Sequence, residues 1–299
     1  MSPIVGRKEI SMYAITGITG KVGGAVASTL LDEGRSVRAV VRNPEKAESW
    51  AARGCTIAVA DVNDPAPLAT AFAGVDGVFI LIPPMFDPTP GFPEARAVFD
   101  SLKSALEAAH PPKVVCLSSI GAQSDRPNLL NQLGIMEETL GTLPLPIAFL
   151  RAAWFMENSV WEVAPAREQG VIPSFLQPLD KKVPMVATAD IGRIGARLFQ
   201  EIWTNKRVIE LEGPRRVTPN DIASTFSDIL ERPVQMQIVP HDTWEGLFKS
   251  QGMKNPTPRI QMLNGFNEGW IEFEGGEVGS EKGTTELATV LRGLVEDAG

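Results

Sequence analysis

Three glycines spaced three residues apart, Gly17, Gly20 and Gly23, constrain the fold of this 299-residue chain more than any other feature. They stand between an apolar run at residues 12–15 and an amphipathic segment at 22–31, which predicts a strand, a tight turn and a helix. Glycine allows the sharp turn, leaves room for a pyrophosphate and lets the helix pack close on the strand. Free N–H groups at the helix start would bind the phosphates. Because glycines also occur in ordinary turns, the assignment depends on the pattern of the residues after this turn.

The rest of the first half alternates apolar runs with helical patterns. Strands are predicted at residues 12–15, 36–42, 55–60, 77–82, 113–118 and 145–151, and helices at 22–31, 44–53, 65–73 and 91–109. This alternation is typical of strand–helix–strand units in a parallel sheet. We therefore predict an α/β fold with a Rossmann-type doubly wound parallel sheet.

The residue at the end of the second predicted strand bears on the cofactor. A Rossmann site usually has Asp or Glu there, about 20 residues past the glycines, to bind the ribose 2′-hydroxyl. This chain has Arg42, whose planar guanidinium suits a 2′-phosphate and can stack on adenine, although an ordinary solvated arginine would look the same. We expect NADPH (NADP+) in preference to NADH, with Lys21 and Lys46 adding positive potential. Asp61, after the third strand, is a candidate acceptor for the adenine amino group, or a turn residue.

The second half has shorter apolar runs between breaks at Pro and Gly, and its elements are predicted at residues 190–203, 208–211, 219–230, 234–239, 242–251 and 285–295. We expect a dinucleotide-binding Rossmann domain over residues 12–155, to which later segments can return, and a smaller α/β substrate-binding lobe over 156–299. The Gly-, Asn- and Pro-rich stretch 253–283 is interpreted as a mobile flap over a pocket. Its aromatic residues, Phe266, Trp270 and Phe273, are equally explained as packing residues.

Composition excludes several classes of protein. The net charge is −8 and no basic cluster is present, which argues against a nucleic-acid partner. No apolar run approaches the ~20 residues of a membrane span, so we expect no membrane partner. The two cysteines, Cys55 and Cys116, have no metal-ligand spacing and are interpreted as reduced core residues of a cytoplasmic protein. With two histidines and no ordered cluster of carboxylates, no metal site is expected.

Five motifs occur in a characteristic order: T-G-x-T-G-x-V-G at residues 16–23, V-V-R-N-P-x-K at 40–46, L-R-x-x-W-F-M-E-N at 150–158, V-A-T-x-D-I-G-R at 186–193 and L-x-G-P at 211–214. Over residues 12–296 the chain resembles the NmrA-like family of atypical short-chain dehydrogenases/reductases, which includes NADPH-dependent quinone reductases and non-catalytic redox sensors. The resemblance implies a Rossmann domain with a small C-terminal lobe that closes a cleft.

The resemblance also implies roles for individual residues. The cofactor-binding residues would be Gly17, Ile18, Thr19, Gly20, Lys21 and Val22 at the pyrophosphate, Arg42 at the 2′-phosphate, Asp61 and Val62 at the adenine, and Ile82, Pro83 and Ser118 on the nicotinamide side. The substrate-binding residues would be Ile120, Trp154, Phe155 and Asn158. Asn158 is equally a candidate cap for the helix after it.

The chain departs from typical short-chain reductases at the catalytic position. These enzymes protonate an alkoxide with a Tyr that is activated by a Lys four residues on, but the sole tyrosine here, Tyr13, lies in the first strand. Many relatives have a lysine where this chain has Gly134 or Ile135. We expect neither His110 nor His241 to act as a general acid. The catalytic residue is therefore left unknown.

The missing acid restricts the reaction. Reduction of an isolated ketone normally uses a positioned acid that contributes about 10²–10⁴-fold in rate, whereas hydride addition to a quinone gives a weakly basic phenolate that water can protonate. The leading hypothesis is an NADPH-dependent oxidoreductase that acts on a quinone-like or other conjugated small molecule without a Tyr/Lys pair. The alternative is a non-catalytic NADP(H)-binding redox sensor that acts through a protein partner. A homodimer formed through the helix at 91–109 is left open beside simple core packing of that helix.

Arg42→Asp tests the assignment of the cofactor. The substitution removes the cation that would bind the 2′-phosphate, so the affinity for NADPH should fall far more than the affinity for NADH. Fluorescence titration of both cofactors measures the difference. An equal loss for both would show that Arg42 does not recognise the phosphate.

Overall fold

The structure, a computed structural model, describes residues 11–82 and 85–298. Up to residue 152, strands and helices alternate, with a 3₁₀ helix (Pro44–Ala47) before the second α-helix. The elements are β1 (Met12–Thr16), α1 (Lys21–Asp32), β2 (Ser36–Val41), α2 (Glu48–Ala52), β3 (Thr56–Val59), α3 (Pro65–Phe72), β4 (Gly77–Ile80), α4 (Pro93–Ala109), β5 (Val114–Ser119), α5 (Asn131–Leu140) and β6 (Ile147–Ala152).

The remaining chain is richer in short elements, including 3₁₀ helices at Met156–Ser159 and His241–Thr243. The strands and α-helices are β7 (Trp154–Phe155), α6 (Val160–Glu168), β8 (Val171–Ser174), β9 (Met185–Val186), α7 (Thr188–Gln200), β10 (Arg207–Glu212), α8 (Pro219–Leu230), β11 (Gln235–Ile238), α9 (Trp244–Ser250), α10 (Thr257–Glu268), α11 (Gly276–Gly279), β12 (Glu281–Lys282) and α12 (Leu287–Asp297). No helix in the described part of the chain is both long and apolar enough to span a membrane.

Eight strands form one sheet in the order β12-β10-β6-β5-β4-β1-β2-β3, and all neighbouring pairs are parallel. The chain therefore builds outward from β1 through β2 and β3, and then crosses to β4 and builds in the other direction. The carboxyl ends of β1 and β4 flank the point at which the direction changes. In open α/β sheets this crevice is where ligands bind.

Helices cover both faces of the sheet, which explains why the central strands are apolar along their whole length. All residues of β4 and of β6 are buried. Along β1, Ile15 packs into the cluster that includes α1 and α7, whereas Ala14 packs into the cluster that includes α3, α4 and α5. The apolar face of α4 belongs to this second cluster, which matches the core-packing interpretation of residues 91–109. A homodimer through α4 stays a prediction.

Segments after residue 155 return to the sheet. β10 pairs with β6, and β12 pairs with β10. α7 packs against α1 so closely that a Cβ at Gly192 would lie 2.5 Å from the Ala25 Cβ. The sheet therefore does not end at the predicted boundary between residues 155 and 156. Outside the sheet, β8 and β11 pair with each other, and α6 and α8 pack beside them.

The interpretation of residues 253–283 as a flap is corrected by the structure. This stretch contains α10, α11 and β12, and Phe266 and Phe273 are 4% and 3% exposed. Its glycines mark turns: Gly269 ends α10 with a φ of 90°, which a residue with a side chain rarely adopts. The aromatic residues therefore anchor a folded segment in the core.

A pair of glycine substitutions tests the close packing of the turn. In a helix, Ala is more favourable than Gly by about 1 kcal/mol, so Gly293→Ala in α12, where no atom lies within 4 Å of the new Cβ, should raise the free energy of unfolding by about 0.5–1 kcal/mol. Gly23→Ala in α1 should lower it by about 1–3 kcal/mol, because its Cβ would overlap the Gly17 carbonyl. Urea unfolding measures both changes, and a stabilised Gly23→Ala variant would contradict the packing argument.

Candidate functional site

The glycine turn forms an open surface at the carboxyl end of β1. Gly17 has a φ of 64°, and the Gly20 amide donates to the Gly17 carbonyl at 3.0 Å. A Cβ at Gly20 would meet only the Gly17 oxygen, at 3.4 Å, so the space beside this residue is free. No side chain of the described residues caps α1, and no acidic residue lies in its first turn. The start of α1, with exposed Lys21, therefore offers N–H groups and positive potential to an anion.

A hydroxyl group fixes the turn against β4. The Thr16 oxygen accepts from the Leu81 amide at 2.8 Å, and its proton is directed to the Phe79 or Leu81 carbonyl, each at 3.1 Å. A Cβ at Gly17 would lie 2.7 Å from the Leu81 side chain. Residue 17 therefore needs glycine both for its positive φ and for this close approach.

The structure brings Arg42 and Asp61 to one edge of the sheet, because they follow the carboxyl ends of the paired strands β2 and β3 by one and two residues. Arg42 is exposed. Asp61 Oδ1 accepts from the Asn63 amide at 2.9 Å and from the Asn63 side chain at 2.8 Å, so this oxygen stabilises the turn that follows β3. These hydrogen bonds, with a smaller contribution from the Arg42 charge, hold the pKa of Asp61 below its usual value. Val62 beside it is half-buried.

The residues expected around the nicotinamide differ in accessibility. Ile82 is half-buried, and Pro83 lies outside the described residues. The side chains of four of the predicted site residues are nearly inaccessible, with exposed fractions of 1% to 4%: Ile18, Val22, Ser118 and Ile120. A bound molecule would therefore meet the backbone at these positions. Thr19 and Gly20 are exposed.

Beneath the carboxyl end of β5 lies a buried charge network that the sequence analysis missed. The Ser118 hydroxyl donates to Glu137 Oε1 at 2.6 Å, and Glu137 accepts from Arg151 Nε at 2.9 Å and Nη2 at 2.7 Å. Arg151 is 5% exposed and also contacts Glu274, and its Nη1 lies 3.6 Å from Glu210 Oε1. Burial lowers the pKa of Arg151, but bonding to Glu137 and Glu274 outweighs that effect and raises it. In the sequence, the sign of this network is an arginine inside the apolar run of β6.

The W-F-M-E-N motif forms a wall that α7 and α10 hold in place. Trp154 is half-buried, and its ring meets the Phe266 ring edge-on with centroids 5.2 Å apart. Glu157 Oε1 accepts from the Thr188 amide at 2.8 Å and from its hydroxyl at 2.6 Å, which ties the motif to the start of α7. Phe155 is half-buried and Asn158 is exposed. The cap of α6 is Ser159, with no side-chain hydrogen bond, so Asn158 does not fill that role.

Outside the carboxyl ends of β4 and β5 a cavity of about 310 Å³ separates three segments. These are the loop that leads into α4, the loop that leads into α5, and the start of α10. None of its lining residues was singled out from the sequence: Thr89, Pro90, Gly91, Phe92, Pro127, Asn128, Asn131, Asn255, Thr257, Pro258 and Gln261.

The candidate acid residues have structural roles. Tyr13 is 4% exposed and stacks on Phe199 with centroids 4.7 Å apart. His110 ends α4 in a left-handed conformation, and His241 is exposed beside Asn264. A Cβ at Gly134 would lie 2.4 Å from the Ala122 carbonyl oxygen, so position 134 does not accept a side chain without a shift of the backbone.

The thiols and the acidic groups do not form a metal site in the described ranges. Cys55 and Cys116 are buried free thiols, and burial raises the pKa of each. Within residues 11–82 and 85–298, no group of three His, Cys, Asp or Glu side chains could hold a metal ion.

Glu137→Ala tests the buried network. The substitution removes the bidentate partner of Arg151 while Glu274 and Glu210 stay near it, so the free energy of unfolding should fall by about 3 kcal/mol. Glu138→Ala is the matched control, since Glu138 is exposed and should change stability by less than about 0.5 kcal/mol. Urea unfolding measures both variants. Equal effects would mean that the pair does not stabilise the fold.

Comparison with known proteins agrees with this architecture. The model of the NmrA-like family matches residues 10–281. Quinone oxidoreductase 2 of Escherichia coli (strain K12) and an NAD(P)H azoreductase of Xenophilus azovorans are 28% and 25% identical over 244 residues, which cover 81% of this chain and 82% of each relative. A crystal structure of an NADPH-dependent quinone oxidoreductase from Escherichia coli, complexed with NADPH, matches with a TM-score of 0.79 at 25% identity over 95% of this chain and 99% of that one. This chain, with the predicted Rossmann-type α/β fold confirmed, belongs to the NmrA-like family.

Proposed function

We propose that this chain is an NADPH-dependent reductase that delivers hydride to a quinone-like or other conjugated small molecule. The observation that supports it most is the uncapped start of α1 beside the open space at Gly20, where the order of the strands reverses. The quinone oxidoreductase and the azoreductase among its relatives support the same class of reaction. The acceptor is a small molecule with a conjugated, electron-poor system.

The residues fit a phosphorylated dinucleotide. Backbone N–H groups of Thr19 and of the first turn of α1, together with the Lys21 charge, would bind the pyrophosphate in the space beside Gly20. Arg42 is exposed and would pair with the 2′-phosphate, and Asp61 Oδ2 would accept from the adenine. Ile82 and Ser118 would border the nicotinamide. NADPH, when bound, supplies the hydride.

The reaction needs no tyrosine acid. A quinone takes up a hydride, which brings two electrons, and a proton from water to give a hydroquinone, while NADPH is oxidised to NADP+. The charge after hydride addition is spread over the ring, so binding and orientation account for most of the catalysis. Trp154 and Phe155 would contact the acceptor ring, since both are half-buried. A cytoplasmic location belongs to the same proposal.

Titration with NADPH, followed by addition of quinones, azo dyes and enones while the reduced-nicotinamide absorbance is recorded, tests the proposal. We expect binding and acceptor-dependent oxidation. Tight binding without oxidation by any acceptor would overturn the reductase proposal and favour a redox sensor.

Gly20→Val is the matched inactive variant. The substitution should abolish binding of NADPH and NADH, because the new side chain fills the space left for the pyrophosphate. The fold should survive, since a Cβ there has only one neighbour within 4 Å and residue 20 has a negative φ. A folded variant that still binds NADPH would contradict the assigned site.

A further inference from the structure

The cavity outside β4 and β5 has walls that come from distant parts of the chain. One wall is the loop between β4 and α4, and the facing wall is the segment that begins α10. Asp87 connects them: its carboxylate accepts from the Lys254 amide at 2.9 Å and from the Asn255 amide at 2.6 Å. The Asn255 side chain donates back to the Pro88 carbonyl at 2.9 Å. Three hydrogen bonds therefore hold the two walls at a fixed separation.

The third wall, before α5, is linked to the loop after β4. Gln132 donates to the Met85 carbonyl at 3.3 Å and to the Leu129 carbonyl at 2.9 Å. Asn128 and Asn131 bond to each other and to their own loop, so their polar atoms serve to shape the wall. A hydrogen bond therefore connects the third wall to the first.

The backbone at the mouth of α4 is strained. Phe92, which lines the cavity, has a φ of 56° and a ψ of 44°, a left-handed conformation that is unfavourable for an aromatic residue. Gly91 before it also has a positive φ, of 84°. Such strain persists where the surrounding structure imposes it, and it is concentrated at ligand sites. Phe92 is partly buried against the apolar cluster of α3, α4 and α5, and it also lines the cavity.

The lining carries no charge, and most of its accessible surface is apolar, with a few polar groups set into it. None of the eleven described lining residues carries a charge. Among the described residues, no partner is present for the amide group of Gln261 or for Asn255 Oδ1. A charged ligand group would lose its hydration without gaining an opposite charge, whereas a hydroxyl or amide group could bond to Gln261.

The size of the cavity limits the ligand to part of a molecule. Its 310 Å³ are about twice the ~150 Å³ of an engineered cavity that takes up benzene, and lie at the low end of ligand pockets. Two of its segments belong to the loops that follow β4 and β5, the paired strands next to Ile82 and Ser118 on the proposed nicotinamide side. A molecule that reacts there would extend its far end into the cavity.

We propose that this cavity binds the side chain of the electron acceptor and selects an uncharged side chain with a hydrogen-bonding end, with Gln261 as the specificity-determining residue and Asp87 as the positioning residue that holds the walls together. This inference rests on the proposed reductase function. It adds a recognition element that is separate from the ring-contacting residues Trp154 and Phe155.

Binding of a matched series of naphthoquinones tests the selectivity directly. The compounds carry no side chain, a pentyl, a hydroxybutyl or a carboxypropyl group, and their dissociation constants are measured by tryptophan quenching in the presence of NADP+. One hydrogen bond contributes about 1 kcal/mol, so the hydroxybutyl compound should bind about fivefold more tightly than the pentyl compound. The carboxypropyl compound should bind at least about tenfold more weakly than the hydroxybutyl compound. Equal affinities for these three would overturn the proposal.

Variants identify the residue responsible. Gln261→Leu keeps the size of the side chain and removes its polar group, so the fivefold preference for hydroxybutyl over pentyl should disappear. Gln251→Leu is the matched control, because Gln251 is exposed at the end of α9 and should leave the preference unchanged. A preference that survives Gln261→Leu, or one that both variants lose, would overturn the assignment of Gln261.

Asp87→Ala tests the positioning role, with Asp87→Asn as the conservative variant that retains one acceptor oxygen. Asp87→Ala should raise the KM for the hydroxybutyl compound several-fold with little change in kcat, and should leave the unsubstituted naphthoquinone unaffected. Asp87→Asn should restore part of the loss. An equal effect on both compounds would reduce Asp87 to a purely structural residue.

Different results would contradict the reductase function and the role of the cavity. If no naphthoquinone oxidises NADPH but the hydroxybutyl preference and its dependence on Gln261 are seen in binding, the reductase function fails and the cavity remains a ligand site. If all four compounds are reduced with equal KM, the reductase function stands and the cavity proposal fails.

Discussion

The site depends on the contact between the turn after β1 and the end of β4. The Thr16 hydroxyl bonds to the Phe79 carbonyl and to the Leu81 amide at the end of β4. Gly17 and Gly23 allow the turn and α1 to approach more closely than any residue with a side chain would permit. The Thr16 hydroxyl has its hydrogen-bond partners in β4, and the two glycines are packed against their neighbours, so none of the three residues can move without the others. The N-terminus of α1 is consequently aimed at a fixed point outside the sheet. This fixed N-terminus is the geometry that the proposed pyrophosphate site requires.

The buried charge of Arg151, next to the end of β5, imposes a second constraint. Arg151, inside an otherwise apolar strand, needs carboxylates from three other segments to compensate its lost hydration: Glu137 of α5, Glu210 of β10 and Glu274. The same Glu137 accepts from the Ser118 hydroxyl, so it also holds the end of β5 to α5. Because the buried Arg151 charge needs these carboxylates, it holds α5, the middle of the sheet and the C-terminal region together around the end of β5.

The sequence predicted the elements that have a local signal. The central strands β1, β4, β5 and β6 were found because burial on both faces produces continuous apolar runs. The glycine turn was found because its chemistry lies within eight residues. The segment at 253–283 was misinterpreted because the turn-forming residues around α10 outweighed its apolar ones, Met262, Leu263 and Phe266, which pack only through tertiary contacts. The cavity and the Arg151 network were beyond reach for a related reason. Asp87 and Asn255, for example, are 168 residues apart, and no local pattern links them. The roles of Arg42 and of Trp154 stay predictions.

The return of β10 to the sheet also bears on how the chain folds during synthesis. β6 is buried at all six positions, and one of its edges is covered only by residues 207–212, which are made more than fifty residues later. Until then, an apolar strand would present unpaired N–H and C=O groups, the arrangement that recruits strands from other chains. The nascent chain is thus most prone to aggregate after β6 has been synthesised and before β10 pairs with it. A fragment that ends near residue 155 would keep this unpaired edge of β6 permanently.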